Sequence, residues 1–139
     1  MSKLTVNPAE ALSSSTIIAG GSFTATKDSA ELDTLGFDWL ELMHDVNVGS
    51  NFTSITYELR ETAVSGTAFT SMDAIAGGTF TVGATTVAMR KALVDLHARK
   101  RYVMVRVTLT GTNWVGSVHA NLLGVPHSEH VSNTYQFSV

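Results

Sequence analysis

The sequence contains no cysteine, only two prolines, and 15% charged residues over 139 positions. The absence of cysteine excludes disulfide cross-links, thiolate metal sites and a thiol nucleophile. Stability must therefore come from an apolar core or from association. Also missing is the basic excess of a dedicated DNA or RNA binder, since the formal net charge is -3. No stretch approaches the roughly 20 apolar residues of a helical membrane span. The opening MSKLTVNPAEALSSST lacks the apolar centre of about 7–15 residues that marks an export signal. The expected location is intracellular, or wherever a cytoplasmically made particle ends up, with no membrane partner.

What remains is a chain of one-domain length, able to bury roughly two thirds of its unfolded surface. Threonine recurs along it, as at Thr53, Thr56, Thr79, Thr81, Thr108, Thr110 and Thr112. Threonine fits a pleated surface and disfavours helix interiors. A surface of hydroxyls rather than of Lys and Glu also suits a protein packed against neighbours.

Periodicity places the strands. Residues 1–15 read as a polar N-terminal arm. Thr16 to Thr26 is strand-like, with a bulge or bend at Gly20-Gly21. Phe37 to Val48 alternates, with Leu40, Leu42, Val46 and Val48 on one face and Trp39, Glu41, Met43, Asp45 and Asn47 on the other. Across Gly49-Ser50-Asn51 it meets Phe52 to Arg60, where Ile55, Tyr57 and Leu59 alternate with polar residues. The two runs predict an antiparallel hairpin. A second hairpin is expected from Thr79–Val82 and Thr85–Met89, after a turn at Gly77-Gly78. Ala88 to Leu96 fits both helical and strand periods; the reading taken is a strand ending near Lys91, then a turn to Lys100. Tyr102 to Thr110 points Val103, Val105, Val107 and Leu109 one way. Its expected partner across Gly111-Thr112-Asn113 is Trp114 to Val125, with Val118, Ala120 and Leu122 inward and Ser117, His119 and Asn121 outward. About eight short strands separated by Gly and Thr turns predict an all-β fold, an antiparallel β-sandwich or jelly roll over residues 16–127. The C-terminal tail is 128–139.

Residues that carry chemistry do not converge. His127 and His130 flank Glu129 in a segment after Pro126, a weak metal pattern. His44 shares the parity of Leu42 and Val46, the position of a hydrogen-bonded core residue. Asp38 has the opposite parity to Glu41 and Asp45, so these acids form no acid–base pair. There is no Gly-x-Ser-x-Gly elbow and no glycine-rich phosphate loop followed by Lys and Ser or Thr. The sequence therefore predicts no enzyme, no cofactor and no metal site.

Charge is segregated instead. Six of nine basic residues (Arg90, Lys91, Arg99, Lys100, Arg101 and Arg106) lie in one stretch, and eight of twelve acids lie between Asp28 and Glu61. Such asymmetry suits electrostatic docking or head-to-tail self-contact, against the plain alternative of solvated counter-charges. Direct nucleic-acid binding is not expected, because Arg99-Lys100-Arg101 is short and has only Tyr102 as a stacking ring.

Gly36-Phe37-Asp38 leading to Val46-Asn47-Val48-Gly49, Lys100-Arg101-Tyr102-Val103 running through Val105-Arg106-Val107-Thr108-Leu109-Thr110-Gly111-Thr112, and the finish Leu123-Gly124-Val125-Pro126-His127 resemble a group of small structural proteins of tailed bacteriophages. The resemblance covers roughly residues 36–127. It implies a capsid decoration (cement) protein of the jelly-roll type, as in short-tailed phages. Such a protein is made in the bacterial cytoplasm, sits on the outer surface of the virion capsid and bridges neighbouring major capsid protein subunits, often as a dimer or trimer. Arg90, Lys91, Arg99, Lys100 and Arg101 are the expected capsid contacts. Leu93 to Arg99 departs from the glycine-rich turn of the pattern, and the tail after Ser128 is longer than it needs. The competing expectation is a phage-borne carbohydrate- or receptor-binding sandwich, with Trp39 or Trp114 as an aromatic platform; a hydrolase on the same scaffold ranks below both.

Overall fold

A computed structural model of the chain describes residues 12–83, 88–124 and 137–138. Its strands are β1 (Leu12–Phe23), β2 (Lys27–Asp28), β3 (Leu32–Asp33), β4 (Trp39–Val46), β5 (Asn51–Thr62), β6 (Asp73–Gly83), β7 (Ala88–Asp95), β8 (Tyr102–Leu123) and β9 (Phe137–Ser138). A 3₁₀ turn, Phe69–Ser71, precedes β6. The fold is an all-β sandwich.

The 22-residue β8 organises it. Its first half, up to Asn113, pairs with β5 on one side and with β2 and β3 on the other. Its second half, from Trp114, pairs with β4 and β1. One sheet therefore runs β1-β8-β4-β7-β9 and the other β6-β5-β8 with the β2/β3 flank. All these pairings are antiparallel except the short parallel contact of β9 with Ala92 and Leu93.

The core lies between the two sheets. Leu40, Leu42, Val46, Ala92, Val94, Val118, Ala120 and Leu122 face Ile55, Tyr57, Leu59, Val103, Val105 and Val107. These are alternate residues of their strands, so strict period-two patterning supplies the apolar layer. Each such aliphatic side chain stabilises the fold by about 1.5–3 kcal/mol on burial. His44 is also buried, edge-on to Tyr57 and Trp114, with its Nδ1 hydrogen bonded to the Tyr57 hydroxyl.

β8 passes between sheets through Gly111 and Gly116. Gly111 has φ +137°, and a Cβ there would lie 2.5 Å from Phe52 Cα. Trp114, only 1% exposed, fills the corner, and its Nε1 donates to the Asp45 carbonyl at 3.0 Å.

Among the described residues none of the three expected hairpins forms, and residues 85–87 of the second lie outside them. β4 and β5 lie in different sheets, as do β6 and β7, and Tyr102–Leu123 is one strand rather than a folded pair. The breaks at Gly49-Ser50-Asn51 and at Gly111 turn corners between layers. After β4, Asn47 N–H donates to the Val115 carbonyl, and Ser50 exchanges hydrogen bonds with Val115 through its hydroxyl. These bonds hold the 47–50 turn on β8 and carry the chain across. Val48 accordingly leaves the core and is 82% exposed. Gly77 (φ +74°) and Gly78 form a bulge inside β6 rather than a turn, because the β5 register jumps from Glu58↔Thr79 to Arg60↔Ala74. β7 continues through Asp95, past the expected end at Lys91, because Ala92, Val94 and Leu96 reach the core at strand spacing. Around Gly20 and Gly21, β1 shows the expected irregularity, with register shifts from Thr16 to Ile18 and from Ile18 to Gly21. It begins at Leu12, inside the segment read as an arm, because Ser13–Ser15 pair with Leu122–Ala120. The remaining arm, residues 1–11, and the Glu129, His127 and His130 pattern lie outside the described residues, as does the tail apart from Phe137 and Ser138.

Candidate functional site

Two surfaces gather the polar side chains that sequence reading singled out. The first is the flank of the smaller sheet, where the segregated charges meet. β2 and β3 lie beside β8, so Asp28 is placed opposite Arg106 and Asp33 next to Arg101. Arg106 binds Asp28 through two N–H···O bonds of 2.6 and 2.8 Å, and Arg101 binds Asp33 through bonds of 2.9 and 2.6 Å. Such fork-to-fork pairs are the stronger form of ion pair. The Arg101 hydrogen bonds, helped by the Leu35 N–H, hold the Asp33 carboxyl down at about 2. Asp28 is likewise lowered by its hydrogen bonds to Arg106. Lys100 pairs with Asp73, and its backbone N–H donates to Glu61 Oε2 at 2.9 Å. Arg60 bonds Glu58 at 2.6 Å and packs its guanidinium over Phe69, which Arg106 covers at 4.3 Å. Those two cations bury Phe69 on the outer side of the sheet.

The expected contact residues therefore divide. Lys100 and Arg101 are engaged with acids of the same chain. Arg99 is half-buried, and its Nε has no hydrogen-bond partner among the described residues. Arg90 and Lys91 lie on β7 of the other sheet, opposite His44 and Met43. The basic stretch is thus split between two sheets and is not one patch.

The second surface is the outer face of the larger sheet, where Ser14 and Thr16 of β1, Ser117, His119 and Asn121 of β8 and Glu41 and Met43 of β4 lie side by side. Register dictates it, since Ser14 opposes Asn121, Thr16 opposes His119, and these oppose Glu41 and Met43. The Ser14 hydroxyl donates to Asn121 Oδ1 at 2.7 Å, and Asn121 Nδ2 donates to Glu41 Oε1 at 2.9 Å. His119 joins Thr16 through Nδ1 and Ser117 through Nε2, both at 3.0 Å. A shallow groove between Ser14, Ser15, Thr16, Met43, His119 and Asn121 runs along this face. Outward parity of Ser117, His119 and Asn121 was legible in the sequence. The β1 hydroxyls that complete this face were not, because Ser14 falls in the segment read as an arm and Thr16 in a strand with no partner assigned.

At the end of the same sheet His97 bonds Asp95 through Nδ1 at 2.7 Å and approaches Asp38 at 3.4 Å. The Asp95 hydrogen bond raises the imidazole's pKa. Trp39 stands edge-on to His97 and is half-buried, while Trp114 is interior. Trp114, being interior, offers no open flat platform for a stacked sugar.

No protein-family profile matches the chain, and no curated protein matches it. Several solved structures are similar to the chain. The SPBc2 prophage-derived protein YomS is 19% identical with a TM-score of 0.45, over 81% of this chain and 92% of that one. A structure described as Bacillus endospore appendages, a family of disulfide-linked pili, is 16% identical with a TM-score of 0.43, over 81% and 86%. A structure of infectious bursal disease virus, Gx strain, is 12% identical with a TM-score of 0.48, over 84% of this chain and 33% of that one.

Proposed function

We propose that the chain is a structural virion protein that binds the outer surface of a phage capsid and cements neighbouring major capsid protein subunits. The observation that carries this reading is the pair of hydrogen-bonded triads on one face, Ser14–Asn121–Glu41 and Thr16–His119–Ser117. These side chains are already fixed by one another, so docking a second protein on them immobilises few new rotamers. Their polarity suits a wet interface of hydrogen bonds and bridging water. Repetition over a shell makes weak single contacts effective. The sequence resemblance supports the same reading.

The contact is assigned to this face, with the basic stretch in a secondary role, because Lys100 and Arg101 already have acidic partners. The test is co-sedimentation of the purified chain with expanded, empty shells of a tailed phage. Thr16→Arg and Asn121→Arg should abolish binding, and Thr108→Arg on the opposite sheet should not. Binding that survives both face substitutions, or that is lost on Arg99, Lys100 and Arg101 replacement alone, would overturn the assignment.

A further inference from the structure

The outer edge of β6 is the most regular uncharged edge of the sandwich. Beyond its glycine bulge, Thr79–Gly83 pairs in unbroken register with Glu58–Ser54 of β5. Among the described residues no strand pairs with its other side. An edge of this kind presents alternate N–H and C=O groups to any second strand, and natural proteins ordinarily block it with Lys, Pro, a bulge or extreme shortness. β6 has no charge after Asp73 and no proline. The other edges are blocked by those means. β2 and β3 are two residues each and carry Lys27, Asp28 and Asp33, β1 is broken by two register shifts, and the far end of the larger sheet is the two-residue β9 on β7, which carries Arg90, Lys91 and Asp95.

We propose that this edge is a homotypic interface, in which two copies of the chain join antiparallel through Thr79–Gly83 about a two-fold axis at Thr81. The sequence TFTVG is self-complementary in that register. Thr79 falls opposite Gly83, Phe80 opposite Val82 and Thr81 opposite itself, with no charge facing a like charge. A C2 contact requires this self-matching. The outer face supplies a further match. Thr108, Thr56 and Thr81 form one row across β8, β5 and β6, and the Thr56 and Thr81 hydroxyls are bonded at 2.9 Å. Pairing at Thr81 continues the row into the second copy, and cross-strand threonine pairs are favourable. The pairing needs no shell, so its failure and that of the capsid reading are separable.

The cysteine-free sequence makes the test direct. In an antiparallel pair the Cα atoms of opposed residues are about 4.5–5.5 Å apart, within the range a disulfide spans. Under mild oxidation the Thr81→Cys chain should therefore form a disulfide-linked dimer. A millimolar effective concentration against about 10 μM protein makes that reaction roughly 100-fold faster than for Thr108→Cys, two strands inward on the same face. The unmodified chain should sediment as a dimer, and Thr81→Lys, which sets two ammonium groups together on the axis, should sediment as a monomer with an unchanged circular-dichroism spectrum. A monomeric parent chain, equal cross-linking at positions 81 and 108, or a Thr81→Lys chain that stays dimeric would overturn the proposal.

Discussion

Replacing Gly116 with alanine tests the corner of β8 more severely than any core truncation. Gly116 sits between Val46 of β4 and Gly21 of β1. A Cβ built there would lie 1.9 Å from the Asp45 carbonyl oxygen and 2.5 Å from Trp114 Nε1, the two atoms that share a hydrogen bond. The methyl group cannot be accommodated by a side-chain rotation alone, because one of the atoms it meets is backbone in a central strand. Overpacking of this kind costs about 1–3 kcal/mol. Displacing the indole leaves a buried N–H and a carbonyl without their bond, for about 1–3 kcal/mol more. A total near 4 kcal/mol, with a urea m-value of about 2 kcal/mol/M, lowers the unfolding midpoint by roughly 2 M. Tryptophan fluorescence during urea titration reads it, and far-UV circular dichroism checks that the transition remains two-state. Gly20→Ala is the control, since nothing lies within 4 Å of its Cβ position and its φ is not positive. It should shift the midpoint little. A Gly116→Ala chain as stable as the parent, or a Gly20→Ala chain equally weakened, would refute the close approach at this corner.

Leu59→Ala empties a fully buried position and should cost about 2–5 kcal/mol in chemical denaturation. Val48→Ala, at a position 82% exposed, should cost almost nothing. Asp33 should titrate near 2 by NMR, and Arg101→Gln should return it toward 3.8. Because the folded pKa is the lower one, its stabilising contribution is present above 3.8 and is lost as pH falls through about 2. His97 has the opposite sign. Its folded pKa is raised, so its contribution is complete below 6.5 and is lost as pH rises through the folded value. Asp95→Asn should move the imidazole's NMR titration back toward 6.5.

Inward and outward faces were legible because alternation is a local property. Leu40 and Leu42, Ile55 to Leu59, and Val103 to Val107 declare their buried side without reference to a partner. Strand partners were not legible. A break such as Gly49-Ser50-Asn51 serves a hairpin and a crossing between layers equally well, and the choice is made by Val115, far along the chain, which captures Asn47 and Ser50. The charge blocks show the same limit. Asp28 and Arg106 are 78 positions apart and read as opposed patches, yet the β2–β8 register sets them side by side. The hydroxyl face is a third case. His119 and Asn121 were read as outward residues without a motif, and only the return of Ser14 and Thr16 along β8 completes their triads.

The proposed cement function is tested where the sandwich would meet a shell. An electron cryomicroscopy reconstruction of empty tailed-phage capsids saturated with the chain is the most direct measurement. Ordered density is expected across boundaries between major capsid protein subunits, with Ser14, Thr16, His119 and Asn121 facing the shell. Shells that remain bare at saturating protein, or density contacting the shell only through the Asp28–Arg106 flank, would contradict it.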